Sequence, residues 1–140
     1  MAVEVLYNAY LMVNSVDLSV KAKQLEVNFG QETKEVTAFG DVARKSISGL
    51  ATPSIKGTVY AERGTGNTEA TLWALMGVGV APFNVVVKHK NTTTATTNPQ
   101  YTMTSILDGF SPVNGSTGDV EEYSVNFVCA SGLGIVRTTS

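Results

Sequence analysis

Few residues in this chain have side chains suited to chemistry. There is one histidine, His89, and one cysteine, Cys129. His89 sits between Lys88 and Lys90 in a strand-like run. As a base or ligand it needs a partner, and no cysteine lies near it, so it reads as a solvated strand-end histidine. Cys129 closes the apolar run Val125 to Cys129. A reactive thiolate needs a base and an electropositive setting, and this cysteine reads instead as a small buried hydrophobe. The carboxylates Asp108, Asp119, Glu121 and Glu122 are the candidates for a general acid and base pair. Glu121 and Glu122 take opposite faces of a strand, which makes them poor partners. Gly64-Thr65-Gly66-Asn67 resembles a phosphate nest only loosely. It lacks the spacing and the lysine of a P-loop, so a turn followed by a helix cap accounts for it. The expectation is no catalytic residue, no metal site and no cofactor.

Composition agrees with that expectation. The chain has 140 residues, 43% hydrophobic and 16% charged, with a formal net charge of -2. That length suits one domain, residues 1–140, able to build its own core. Valine, threonine and glycine are abundant, which favours strands over exposed helices. There is no basic field for non-specific duplex binding. The aromatic residues do not interleave with a basic patch, so no nucleic-acid platform is expected. A lone cysteine excludes an intrachain disulfide framework. The opening Met1 to Tyr10 has no basic stretch and carries Glu4, unlike a secretory signal. The most apolar stretch, 72–87, is broken by Gly77, Gly79, Pro82 and Asn84 and falls short of the roughly 18 residues of a spanning helix. A soluble cytoplasmic protein with no membrane-spanning segment is expected.

The pattern along the chain is mostly of period 2. Residues 10–20 read as a hairpin bent at Asn14-Ser15, with Asn14 able to take positive φ. Leu25 to Phe29 alternates cleanly and is closed by Gly30. Gln31 to Ser48 is a polar excursion carrying Glu32, Lys34, Glu35, Asp41, Arg44 and Lys45, either an extended arm or a long hairpin broken at Gly40-Asp41. Its apolar residues Val36, Phe39, Val42 and Ile47 are too sparse for a hairpin core, so it either moves freely in solvent or docks on a neighbour. Ser54 to Glu62 is a strand. It starts at Pro53, with Ile55, Gly57, Val59 and Ala61 on one face and Lys56, Thr58, Tyr60 and Glu62 on the other. A helix of about ten residues follows, capped by Asn67 or Thr68, with an apolar stripe of Leu72, Leu75 and Met76 widened by a core Trp73. Strands are expected at 83–90, 101–106 and 119–129, with Ser124 and Asn126 opposite Tyr123, Val125 and Phe127. A short final strand at 132–138 turns Ile135 or Val136 inward. Loops are expected at 91–100 and 108–118. This is an all-β chain with one short helix, a sandwich or small barrel.

Two segments carry a resemblance. The opening Tyr10-Leu-Met-Val-Asn-Ser-Val-Asp-Leu-Ser19 is similar to the start of small tail tube proteins of long-tailed, siphovirus-like bacteriophages. The closing Asp108-Gly-Phe-Ser-Pro-Val-Asn-Gly-Ser-Thr-Gly-Asp119, then Val-Glu-Glu-Tyr-Ser-Val-Asn-Phe and Ser131-Gly-Leu-Gly-Ile-Val-Arg137, is similar to their end. The single mid-chain helix and the long early loop fit the same order of elements. The inner tube proteins of contractile injection systems are related.

The resemblance implies a β-sandwich or barrel with a flanking helix, whose copies close into homohexameric rings that stack helically into a hollow tube. The inter-ring arm would be residues 31–48, with Glu32, Lys34, Glu35, Phe39, Asp41, Arg44 and Lys45. Ring contacts would involve strands 55–62 and 123–129. The lumen face would include Lys56, Thr58, Tyr60, Glu62, Ser124 and Asn126. Implied partners are further copies, tail tip and neck or terminator proteins, a tape measure protein in the lumen, and DNA in transit without specific binding. The implied location is the virion tail, assembled in the host bacterial cytoplasm. Two other readings stay open: another ring-forming part (connector, terminator or decoration protein), or a monomeric β-sandwich binding module that uses loop 91–100.

Overall fold

The structure is a computed structural model that describes residues 3–140; Met1 and Ala2, part of the opening read as lacking a signal, lie outside the described residues. The elements are β1 (Tyr10–Val13), β2 (Val16–Asp17), a short 3-10 turn (Ser19–Lys21), β3 (Ala22–Glu35), β4 (Ser46–Tyr60), α1 (Thr68–Trp73), β5 (Phe83–Lys88), β6 (Gln100–Gly109), β7 (Glu122–Cys129) and β8 (Ile135–Thr138). All strand pairs are antiparallel, in the order β2-β1-β5-β6-β7-β4-β3, with β8 also paired to β6. β1 and β4 are far apart in that order, yet Leu11 and Val13 share one buried cluster with Ile55 and Val59. The sheet therefore folds over on itself as a sandwich, with alternate residues of each strand turned inward. Phe83 of β5 meets Phe127 of β7 edge to face, with ring centroids 5.9 Å apart. Among the described residues no ladder joins β3 to β8 or β2, so the sheet does not close into a barrel.

Local chemistry explains the turns. Asn14 and Ser15 both take positive φ (49° and 67°) between the paired Val13 and Val16, a two-residue hairpin loop as expected. Gly57 faces a β3 backbone so close that a Cβ there would lie 2.8 Å from the Gln24 carbonyl oxygen. Its missing side chain lets β3 pass a register shift between Ala22 and Gln24.

The largest departures from the expected elements are in β3 and β4. β3 does not stop at Gly30 but runs on to Glu35, and β4 starts at Ser46 rather than Pro53. The excursion 31–48 is thus a long hairpin, paired from Gln31↔Ala51 to Glu35↔Ser46, with its tip at Gly40 (φ 92°). Cross-strand hydrogen bonding, which apolar periodicity does not report, carries the strands through a polar stretch. β6 likewise extends to Gly109 because a bulge lets it follow β7, while β7 begins only at Glu122, after the turn at Gly118.

The helix is also shorter than expected, with six residues. After Trp73 the chain tightens into i to i+3 bonds, Leu75 N–H to Leu72 and Met76 N–H to Trp73, and Gly77 at φ 133° ends it. Asn67 holds the cap position without a capping bond; its side chain donates to the Arg63 carbonyl and accepts from Lys21. Thr68 ties the helix to β4 instead, its hydroxyl accepting from the Glu62 N–H and lying 2.9 Å from the Tyr60 carbonyl oxygen. Leu72 and Leu75 are buried. Trp73 is 63% exposed, not in the core, and Met76 also faces outward, because so short a helix presents one narrow face to the sheet.

These environments set a stability contrast. Leu72→Ala should cost about 2–5 kcal/mol in denaturant unfolding, and Trp73→Ala less than about 1 kcal/mol. Equal losses would place the indole in the core.

Candidate functional site

Of the candidate catalytic groups, all but Asp119 are held by a structural partner; Asp119 donates only its backbone N–H, to the Ser116 carbonyl at 3.0 Å. His89 follows the end of β5 half-buried rather than freely solvated, with Nε2 3.1 Å from a Glu4 carboxylate oxygen. Lys90 binds the same carboxylate, and chiefly through that hydrogen bond holds Glu4 below the usual glutamate range. Cys129 is only partly buried and its Sγ donates to the Ser131 carbonyl, 3.0 Å away. Asp108 accepts from the Asn126 amide at 3.2 Å, Glu121 pairs with Arg63 at 2.8 Å, and Glu122 pairs with Lys23 at 2.7 Å. Among the described residues no group of three or more His, Cys, Asp or Glu is placed to hold a metal ion. Among the described residues no helix is long and apolar enough to cross a membrane.

What the fold does assemble is a set of surfaces. The first is a polar face on β3, β4 and β7. Cross-strand pairing aligns Glu26, Lys56 and Asn126 in one row and Gln24, Thr58 and Ser124 in the next, while Ile55, Val59, Tyr123 and Phe127 point into the core. Tyr60 pairs with Glu122 at the end of this face. Glu62 lies past β4 and is ion-paired with Lys21 at 3.0 Å. The alternation read for Lys56, Thr58, Tyr60, Ser124 and Asn126 thus holds. The face also includes Glu26 and Asn28, which the alternation of 25–29 signals, and Gln24 just before them; none is among the expected site residues. A shallow depression of about 410 Å³ lies here, lined by Glu26, Lys56, Ser124 and Asn126 among others.

The second surface is the β3–β4 ribbon. β4 joins β7 only from Ser54 onward, so beyond Pro53 the two strands pair only with each other. Its charges cancel internally: Lys34 with Glu32 (3.6 Å), Arg44 with Glu35 (3.2 Å) and Lys45 with Asp41 (3.3 Å). Asp41 also accepts from the Ala38 N–H, closing the tip. Phe39 and Val42 are left fully exposed at that tip, with Ile47 and Leu50 largely exposed along β4.

The third surface is an unpaired edge. Of the strands expected to make ring contacts, 55–62 and 123–129, β4 lies between β3 and β7, while β7 has β4 along one side and β6 along the other only over Asn126 to Cys129, so its 122–125 stretch keeps one side without a strand among the described residues. The long edge left for pairing belongs to β3, which sequence alternation could not show because it does not report sheet order. Beside that edge lies an apolar groove of about 520 Å³ lined by Val27, Phe29, Tyr101, Ile135 and Arg137, also absent from the expected site. Ile135 turns inward and Val136 outward.

No family model and no curated protein matches the chain. Solved structures do. A chain in the virion of a native gene transfer agent particle superposes with TM-score 0.73 at 13% identity, covering 94% of this chain and 95% of that one. A chain in the sheath–tube complex of an extracellular contractile injection system, extended state, gives 0.70 at 9% identity (97% and 91% covered). A chain from the sheath/tube terminator of that system gives 0.70 at 8% identity (99% and 98% covered). This chain shares the fold of those proteins.

One buried group on β7 gives a test of this packing. The Tyr123 ring is fully buried against Phe110, and among the described residues its hydroxyl has no hydrogen-bond partner. Burial pushes its pKa up. The native state therefore holds this proton more tightly than the unfolded chain, and its stabilising contribution falls as pH rises past the ordinary tyrosine value of about 10. Tyr123→Phe should leave stability near neutral pH unchanged or raised by up to about 1 kcal/mol and should lessen the alkaline loss. A clear loss at neutral pH would mean that the hydroxyl is bonded.

Proposed function

We propose that this chain, as a single domain over residues 1–140, is the structural subunit of the hollow tail tube of a long-tailed, siphovirus-like phage. Copies close into hexameric rings, and the rings stack helically into a tube through which DNA passes. The observation that carries the reading is the β3–β4 ribbon: fourteen residues of β3 with one edge unpaired, ending in a charge-neutral apolar tip. A two-stranded ribbon is marginal in water by itself, and an unpaired edge is a template for another chain. The fold shared with chains of a gene transfer agent virion and an injection-system sheath–tube complex supports the same class of assembly.

In this reading Glu32, Lys34, Glu35, Phe39, Asp41, Arg44 and Lys45 form the inter-ring arm. The ion pairs shape it, and Phe39 makes contact. Lys56, Thr58, Tyr60, Ser124 and Asn126 face the lumen, with Glu62 at its rim. Their mostly uncharged side chains, and Lys56 set opposite Glu26, offer passing phosphates no basic track. A tape measure protein would occupy the lumen during assembly in the host cytoplasm, and tip and neck or terminator proteins would cap the ends. A second reading, a ring that terminates a tube without stacking, is favoured by the near-complete coverage of the sheath/tube terminator chain.

Electron microscopy and light scattering across concentration test the proposal. Hollow six-fold rings and filaments are expected, and removing residues 34–45 should leave the sandwich folded while abolishing filaments. Single rings that never stack would favour the terminator reading. A monomer at every concentration would overturn both.

A further inference from the structure

The ribbon tip and the apolar groove are two unsatisfied apolar features of the same molecule. The groove is lined by Val27 and Phe29 of β3, Ile135 and Arg137 of β8 and Tyr101 of β6, which pairs across the strands with Arg137. Its volume, about 520 Å³, accommodates an aromatic and an aliphatic side chain together. Phe39 and Val42, three residues apart on the tip turn, are such a pair and have no cover of their own. Arg137 forms no ion pair among the described residues. A guanidinium beside a tyrosine ring suits an incoming aromatic face. It also suits the tip carboxylate of Asp41, whose present partner Lys45 is itself largely exposed and exchangeable.

A molecule cannot fill its own groove. Pairing runs from Phe29↔Pro53, at the groove, to Glu35↔Ser46, near the tip. At about 3.3 Å per residue that ladder holds the tip roughly 20 Å or more from the groove. The occupant with matching chemistry is therefore the tip of another copy. Resting on the assembly reading above, we propose that the groove of Val27, Phe29, Tyr101, Ile135 and Arg137 is the seat for Phe39 and Val42 of a second copy of this chain. Tip and groove are different patches, so the contact is head-to-tail. Repeated, it generates rings or filaments rather than closed dimers.

A double-mutant cycle read by the concentration at half-assembly tests this seat. Phe39→Ala and Arg137→Ala alter exposed side chains, so thermal unfolding of each dilute monomer should match the parent and separate folding from assembly. Each single change should raise the half-assembly concentration at least ten-fold. The double variant should show about the larger single effect, because both side chains serve one contact. Multiplying effects, or a neutral Arg137→Ala beside a damaging Phe39→Ala, would overturn the seat and leave the assembly reading standing. A neutral Phe39→Ala would overturn it too. A parent chain that never assembles would overturn the seat and the assembly reading together.

Discussion

β3 is hydrogen-bonded along one side only. Each backbone N–H and C=O needs a partner, and water serves that purpose poorly once a strand is flanked by apolar side chains. Over fourteen residues β3 has β4 on one side and, among the described residues, no strand on the other. Soluble proteins blunt such an edge with proline, a strong bulge or a short strand. Here the edge strand is the second longest in the chain; its register shifts, at Ala22/Gln24 and Gln31/Thr33, leave 24–31 regular, and Pro53 sits on its inner neighbour, where it costs β3's free side nothing. The rest of the sandwich, with β4 clamped against β7 from Ser54 onward and Gly57 permitting close approach, holds the 22–28 half of this edge in place.

The same ribbon separates shape from recognition. Three ion pairs on exposed side chains contribute little stability individually, but they leave the arm without net charge. What it presents to a neighbour is aromatic and aliphatic. The polar face beside it is the reverse: serine, threonine, asparagine and glutamine pointing away from a core of tyrosine, phenylalanine and valine. One sheet thus carries a wet face, a dry interior, an apolar groove and a projecting apolar tip. That distribution suits a subunit that touches copies of itself on several sides.

Much of this was legible in residue order. The Asn14-Ser15 turn, the inward set Ile55, Val59, Tyr123, Val125 and Phe127, and the outward set Lys56, Thr58, Ser124 and Asn126 follow from alternation alone. Alternation reports which face a side chain takes, but not where a polar strand ends or which strands are neighbours. So alternation ends β3 at Gly30 and starts β4 at Pro53, and the ring contacts that the resemblance implies for 55–62 and 123–129 fall on strands of which β4 lies between two neighbours and β7 is covered by β6 only over Asn126 to Cys129. The stripe puts Trp73 in the core because it cannot tell a ten-residue helix from a six-residue one that turns at Leu75. The groove joins residues from β3, β6 and β8, remote in sequence, and no local signal links Phe29 to Arg137.

The proposed assembly requires that the free side of β3 be completed by another copy. Hydrogen exchange of the β3 amides, compared between dilute protein and assembled particles, measures this directly. The account predicts that the alternate amides of 22–35 pointing away from β4 exchange quickly when dilute and become strongly protected on assembly. Particles that form while those amides stay unprotected would contradict it.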